Sequence, residues 1–254
     1  MVEVLRQPET RGARAPAGAE DAALRIPETI RVLERGWLSS NNIVMIGPEG
    51  TVLVDSGYLA HAPQTIALIE RALGGRTLER LVNTHCHSDH MGGNAALQRR
   101  YGGHTSIPTG EAPLIERWDE EALLLSYADQ RAERFRVDAT IAPGDRLRMG
   151  EIDWTAIAAP GHDTHTLMFH APDERILISG DALWEDGFGV LFSQLFGREE
   201  TFAETRRTLD SIAALDVRTV IPGHGEPFEK ADEALERAYS RLHAFEEDPA
   251  RLAR

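Results

Sequence analysis

The sequence has few of the residues that several common protein classes require. It has 254 residues and a single cysteine, Cys86, so an internal disulfide is excluded and a reducing, cytoplasmic location is expected. No run approaches the roughly 18 consecutive apolar residues of a membrane span. The first residues also lack the basic and then apolar pattern of a signal peptide. We therefore expect a cytoplasmic protein with no membrane partner.

Basic residues are scarce as well. The chain carries 27 Lys+Arg against 41 Asp+Glu, a net charge of −14, and Lys230 is its only lysine. Binding to nucleic acid relies on clustered Lys and Arg, so no nucleic-acid partner is expected and a small-molecule substrate is favoured. The apolar fraction of 42% is typical of a globular protein. The sequence does not indicate an oligomeric state.

Hydrophobic periodicity predicts one domain of mixed strands and helices. Residues 1–24 lack periodicity and are interpreted as a loosely ordered arm, and 25–254 as a single domain. Helices are predicted at 62–73, 93–101, 199–215 and 231–244, with a largely helical segment at 110–137. Strands are predicted in a hairpin at 41–57 and at 81–84, 146–158, 166–170, 176–178 and 219–221.

Histidine and aspartate residues collect where predicted strands end. The motifs are His-Cys-His-Ser-Asp-His at 85–90, Pro-Gly-His at 160–162, Gly-Asp at 180–181 and Pro-Gly-His-Gly at 222–225. Imidazole and carboxylate are ligands that zinc and similar divalent metals prefer, and strand ends hold such groups rigidly. His85 and His87 can converge on one ion from a turn. Asp89 and His90 then face a second ion, which Asp181 could join to the first.

Together, the four motifs resemble the metallo-β-lactamase fold superfamily over about residues 41–227. The resemblance implies an α/β protein, an αββα sandwich of two mixed β-sheets flanked by helices. It also implies that Asp55, after a strand, supports the ligands from behind. The implied metal ligands are His85, His87 and His162 for the first ion, and Asp89, His90 and His224 for the second, with Asp181 as the bridge.

The function implied by this resemblance is that of a dinuclear metal-dependent hydrolase. A metal-bridging hydroxide would attack a small ester, thioester or lactone, with Asp89 and Asp181 as the catalytic carboxylates. Two divalent ions are expected, with zinc favoured over iron or manganese. Asp181 stands where true β-lactamases carry Cys or no carboxylate. The resemblance is therefore to the hydroxyacylglutathione hydrolase and lactonase branches.

Two alternatives stay open within the same fold. One is a mononuclear iron persulfide dioxygenase-type oxidoreductase, which would use a subset similar to His85, His162 and Asp181. The other is a phosphodiesterase. The complete second set of ligands favours two metals and hydrolysis over the oxygenase. The substrate itself cannot be read, because segments 104–140 and 184–198 carry no motif.

A few residues near the motifs have uncertain roles. His165 is expected to contact substrate or donate a proton, although a structural role fits it equally well. Trp184 is expected to form a pocket wall. Cys86 lies between two expected ligands, where a small buried residue is favoured over a thiolate ligand.

Aromatic residues outside the motifs could also shape the site. Phe188, Phe192 and Phe196 recur at helical spacing, and we interpret them as the buried stripe of one helix rather than as pocket residues. Trp118 and Tyr127 lie in the segment predicted to be helical and could reach over the site.

Overall fold

The computed structural model describes residues 24–36, 39–195, 197–198 and 200–253. Within these residues twelve strands form two sheets of six, and the first sheet has the order β1-β2-β3-β4-β5-β6. Its first three strands pair antiparallel and the other pairings are parallel. The strands are β1 Ile30–Leu33, β2 Asn42–Gly47, β3 Gly50–Val54, β4 Arg80–Val82, β5 His104–Pro108 and β6 Ala139–Ile141.

The second sheet is also mixed and has the order β12-β11-β10-β9-β8-β7. Only β10 and β11 pair in parallel, and its other pairings are antiparallel. The strands are β7 Arg146–Met149, β8 Ile152–Ala158, β9 Leu167–Ala171, β10 Ile176–Gly180, β11 Thr219–Pro222 and β12 Phe228–Glu229.

Seven α-helices accompany the sheets in the described part of the chain. The first of them has Pro63 at its start and ends at Gly74 in a left-handed conformation, which accounts for its sharp boundaries. No described helix is long and apolar enough to cross a membrane. The helices are α1 Ala62–Leu73, α2 Ser88–Met91, α3 Asn94–Tyr101, α4 Ala112–Arg117, α5 Phe192–Leu195, α6 Thr201–Ala213 and α7 Ala231–Glu247.

The main core lies between the two sheets. Side chains alternate along a strand, so Ile43 and Met45 of β2 face this core, where Trp154 and Phe169 of the second sheet also lie. Val44, between the first two, joins a different cluster on the outer face of its sheet. Burying apolar surface on both faces of each sheet requires a layer of helices outside each one.

That outer cover is present on both sheets. Helices α1 and α3 contribute Ile69 and Leu97 to the cluster on the first sheet. Helices α6 and α7 contribute Leu209 and Leu242 to the cluster on the second. The expected sandwich of two mixed sheets flanked by helices is therefore confirmed.

The prediction of a largely helical segment at 110–137 is wrong. Only α4 and one short 3₁₀ turn at Tyr127–Asp129 are helical there. Trp118 and Leu124 take left-handed backbone conformations with φ of 54° and 57°, which end helical continuation. Leu123 and Leu125 of this segment are buried in an apolar cluster with Ile107, so tertiary packing overrides the local helix propensity of its Ala, Glu and Leu residues.

The prediction that Phe188, Phe192 and Phe196 form the buried stripe of one helix is also wrong. Phe188 lies in the non-helical segment before α5 and packs against Phe245 of α7. Phe192 begins the single-turn helix α5, so the two do not share a helix. Phe196 lies outside the described residues, as does the expected arm except for Leu24, which packs against the main core.

Candidate metal centre

The expected metal ligands lie where strands of both sheets end at one edge of the sandwich. Residues 85–90 follow β4 of the first sheet. His162 follows β8, Asp181 follows β10 directly, and His224 follows β11 of the second sheet. Loops and the short helix α2, held by strands in two sheets, therefore supply the cluster, and this gives each side chain a rigid base.

Three imidazoles form the first group of the cluster. Nδ1 of His87 lies 3.1 Å from Nε2 of His85 and 2.8 Å from Nε2 of His162. All three side chains are buried. Their nitrogens lie within 4.8 Å of one another, so the three rings offer their ligand atoms to one shared position.

The second group combines a carboxylate with two imidazoles. Oδ2 of Asp89 lies 3.1 Å from Nε2 of His224 and 3.7 Å from Nε2 of His90. These ligand atoms also lie within 4.8 Å of one another. The structure thus brings this expected set together, beside the first group.

Asp181 lies between the two groups. Its Oδ2 is 3.4 Å from Nε2 of His162 in the first group and 3.8 Å from Nε2 of His224 in the second. Its Oδ1 is 3.4 Å from Nε2 of His90. One carboxylate therefore faces both groups, which is the position that a shared ligand must occupy.

Hydrogen bonds from behind orient the imidazoles. Nδ1 of His90 lies 2.8 Å from Oδ2 of Asp55. Nδ1 of His162 lies 2.7 Å from the carbonyl oxygen of Val190, to which it donates. In each ring the opposite nitrogen, Nε2, then faces the cluster, which is the orientation that a metal ligand requires.

Burial and neighbouring charges set the protonation of the cluster. Burial lowers the pKa of His87 to about 4, and burial with the neighbouring imidazoles lowers the pKa of His85 well below its usual value. Both rings are therefore neutral at pH 7. Burial alone would raise the pKa of Asp181, but the imidazoles around it hold that pKa well below its usual range. Asp181 is therefore a carboxylate.

These residues fit divalent metal ions. Nε2 of His90 is buried and has no hydrogen-bond partner, an arrangement that costs free energy unless another group binds at this nitrogen. Neutral imidazoles and ionised carboxylates are also the donors that zinc and related ions prefer. The orphaned nitrogen and the donor chemistry agree with the expectation of a metal site.

Comparison with known proteins agrees with this geometry. Residues 35–224 match the model of the metallo-beta-lactamase superfamily. The chain belongs to that superfamily. Hydroxyacylglutathione hydrolase of Hyphomonas neptunium is 30% identical over 54% of this chain and 50% of its own length. Acyl-coenzyme A thioesterase MBLAC2 of Bos taurus is 29% identical over 78% of each chain. The chain thus spans about half the length of the curated hydroxyacylglutathione hydrolase.

Solved structures of the superfamily share the fold. BJP-1, a subclass B3 metallo-beta-lactamase of Bradyrhizobium japonicum, superposes with a TM-score of 0.68 at 21% identity, covering 89% of this chain and 92% of its own. A metallo-beta-lactamase family protein of Thermus thermophilus also gives 0.68, at 20% identity, covering 85% of this chain and 79% of its own. At this identity the likeness shows the fold alone.

Beside the cluster lies a cavity of about 590 Å³. Asp89, Asp181 and His224 line it on one side. The rest of its lining is mainly apolar, apart from Arg35, Ser88 and Gln130, and we call the cavity the apolar chamber. Its apolar wall consists of Leu123, Leu124, Tyr127, Trp184, Val190 and Phe192.

The structure shows where the residues lie whose roles the sequence left undecided. Trp184 lines the chamber as expected, and its Nε1 donates to Oδ1 of Asp181 at 3.3 Å. Tyr127 lines it too, whereas Trp118 packs against the apolar cluster that contains Ile115 and does not line the chamber. His165 is exposed and lines a neighbouring cavity. Cys86 is buried among apolar residues and belongs to none of the ligand groups in the described part of the chain.

Two contributions to the site were missed from sequence. The Phe192 ring contacts the rings of His87 and His162 at centroid distances of 5.4 and 5.7 Å. The carbonyl of Val190 orients His162. The concentration of Phe after Asp181 could have indicated the first, but a backbone carbonyl leaves no sequence signal.

Proposed function

We propose that this chain is a metal-dependent hydrolase that acts on thioesters, with small esters and lactones as related substrates. The observation that carries the proposal is the carboxylate of Asp181 between two histidine-containing groups at the floor of a substrate-sized cavity. Relatives named hydroxyacylglutathione hydrolase and acyl-coenzyme A thioesterase support the choice of a thioester bond.

Each residue of the cluster has a role in this proposal. One ion would be held by His85, His87 and His162, and a second by Asp89, His90 and His224, with Asp181 facing both. Zinc is the first choice, with iron or manganese as alternatives. Bound divalent ions would supply hydroxide at neutral pH, because they lower the pKa of water to about 7.

The protein's own groups would place the reacting atoms. The Asp89 carboxylate, at 24% exposure of its side chain, is accessible from the chamber and can orient an attacking water by accepting a hydrogen bond from it. Trp184 holds the other carboxylate, Asp181, from the chamber side. The buried rings and apolar wall keep bulk water away from the reacting carbonyl, which strengthens every electrostatic contact there.

The test is a hydrolysis panel on zinc-loaded protein. Thioesters, esters, lactones, phosphodiesters and a penicillin are assayed by product formation, with Asp181→Asn as the matched inactive variant. We expect turnover of at least one thioester, its loss with a chelator, and recovery with zinc. Removing Asp181 should lower kcat at least ~100-fold, because that carboxylate serves both groups and its loss removes a supporting ligand from each. Full turnover by metal-free protein would overturn the proposal.

An iron oxygenase is the second candidate. The proximity of Asp181 to His162, with His85 close by, provides the two imidazoles and one carboxylate of non-haem iron sites. The complete second group, including His224, favours two ions. Elemental analysis of purified protein separates the cases, since about two zinc per chain supports hydrolysis and one iron with oxygen consumption supports the oxygenase.

A further inference from the structure

Only two large apolar side chains are strongly exposed among the described residues, and both lie at the candidate site. Tyr127 is 47% exposed and Val190 is 40% exposed, and no other large apolar residue in the described ranges is as accessible. Both stand in the wall of the apolar chamber. Exposing such side chains to water is unfavourable, so their concentration at one cavity indicates an apolar ligand.

The chamber wall is continuous from this exposed rim to the cluster. Phe192 contacts the Tyr127 ring at a centroid distance of 6.1 Å and also the His162 ring, while Trp184 covers His224 at 5.3 Å. An apolar chain lying against this wall would have its end group beside Asp181. The wall therefore connects the reacting position to the outside by apolar contacts.

No cation in the described part of the chamber wall is available to an anionic substrate group. Arg35 is the only Lys or Arg among the described lining residues, and its side chain is buried. Its guanidinium already donates to Asn42, Thr65 and Gln64. A carboxylate or phosphate placed against the apolar wall, away from the cluster, would therefore lose its hydration without gaining a charged partner.

Polar groups line the neighbouring cavity instead. That cavity of about 600 Å³ shares Tyr127 and Phe192 with the chamber, and its far side carries Thr164, His165 and Arg198. Chemically different halves of one substrate could therefore lie on the two sides of Phe192 and the cluster.

We propose that the apolar chamber binds an unsubstituted apolar acyl chain, so that the substrate class is medium-chain acyl thioesters rather than short hydroxyacyl thioesters. The cleavage of the thioester in this assignment rests on the proposed hydrolase function. The binding of the acyl chain rests on the chamber alone. The polar thiol portion would extend toward the neighbouring cavity or out of the site.

The first test varies the acyl chain and keeps the thiol constant. Acetyl, butyryl, hexanoyl and octanoyl esters of one small thiol are hydrolysed by zinc-loaded protein. We expect kcat/KM to rise about fourfold per methylene until the chamber is filled, the factor that corresponds to about 0.8 kcal/mol for each buried CH₂. A 2-hydroxyacyl ester should be a poorer substrate than its unsubstituted analogue. A flat or falling series would overturn the assignment.

A matched pair of variants locates the effect. Val190→Glu places a charge on the chamber rim, and Val190→Leu keeps the rim apolar, while the backbone carbonyl that orients His162 is present in both. The octanoyl-to-acetyl ratio of kcat/KM should fall at least ~10-fold in Val190→Glu and change less than about threefold in Val190→Leu, because only the charge makes the rim unfavourable for an apolar chain. Equal octanoyl-to-acetyl ratios of kcat/KM in the two variants would show that the acyl chain is recognised outside the apolar chamber.

A binding measurement separates this assignment from the hydrolase proposal. Calorimetry with the free acids, acetate to octanoate, requires no turnover, and affinity should rise with chain length and weaken in Val190→Glu. Chain-dependent binding without hydrolysis of any thioester would refute the hydrolase and keep the chamber assignment. Hydrolysis without chain dependence would refute the chamber assignment alone.

Discussion

At the scale of single residues, Asp55 shows how a side chain remote from substrate controls a ligand. Its backbone has a φ of 58°, a left-handed conformation that Asp and Asn tolerate better than other non-glycine residues. Its carboxylate accepts hydrogen bonds from both the backbone N–H and the hydroxyl of Thr84. The remaining lone pair of Oδ2 is thereby directed at Nδ1 of His90.

Replacing Asp55 by Asn should weaken metal binding while preserving the fold. Asn keeps the size and the left-handed preference of Asp, but its amide can donate to Nδ1 of His90. The proton of that ring would then move to Nε2, the nitrogen that faces the cluster. We expect a loss of about 10- to 100-fold in affinity for one ion, the usual effect of removing such a supporting group. Competition with a chromophoric chelator measures it.

The matched control for this change is Asp153→Asn. Asp153 is 75% exposed and pairs with Arg148 on the surface, so its substitution should leave metal affinity unchanged. Equal affinities for Asp55→Asn and unmodified protein would show that Asp55 does not orient the ring.

Candidate ligands were readable from sequence because their chemistry is carried by side chains in short motifs. His85, His162 and Asp181 were expected together, and the structure brings them together. Phe192 was assigned to packing because helical spacing suggested one stripe, whereas a single-turn helix turns that ring to the cluster. Its position depends on chain geometry between strands, which a linear pattern does not contain.

At the scale of elements, the position of Asp89 and His90 depends on close packing at the end of α2. Gly93 donates its N–H to the carbonyl of Gly57, and Ser56 donates to the carbonyl of His90. A Cβ on Gly93 would lie well inside van der Waals distance of the carbonyl oxygen of Ser56. Only glycine therefore allows the start of α3 to approach the segment after β3, and this approach holds the short ligand helix in place.

Gly93→Ala should destabilise the protein by about 1–3 kcal/mol, the usual cost of forcing extra volume into a packed site. Urea unfolding followed by circular dichroism gives the free energy of unfolding. Gly36→Ala is the matched control, because a Cβ there meets no atom within 4 Å and the expected change is below about 0.5 kcal/mol. Similar losses in both variants would exclude close packing as the cause.

Element boundaries were predictable where local signals act alone. The prediction of 62–73 coincides with α1, because Pro63 and Gly74 mark its ends and apolar residues recur at helical spacing. Strands β1, β5, β6 and β12 were not predicted. β6 has three residues and β5 carries polar ones, and both are strands because they pair with partners distant in sequence.

At the scale of the whole molecule, the cluster joins the two sheets. His85, His87, Asp89 and His90 lie after a strand of the first sheet, whereas His162, Asp181 and His224 belong to the second. Each proposed ion therefore has ligands from both halves of the sandwich. Separating the sheets would break both sets, so metal binding and unfolding of the domain must be coupled.

Metal removal should accordingly lower the melting temperature of the whole domain in one transition. An ion present at about 1,000 times its dissociation constant stabilises a folded protein by about 4 kcal/mol. In a domain of this size each kcal/mol corresponds to about 2–4 °C, so the loss of one such ion should lower Tm by about 8–16 °C. Scanning calorimetry of zinc-loaded and chelator-treated protein measures the shift. Asp181→Asn should show a much smaller shift, because its loaded form has already lost the ligand that faces both groups. If the zinc-loaded and the chelator-treated protein have the same Tm, metal bound at the cluster does not join the two sheets.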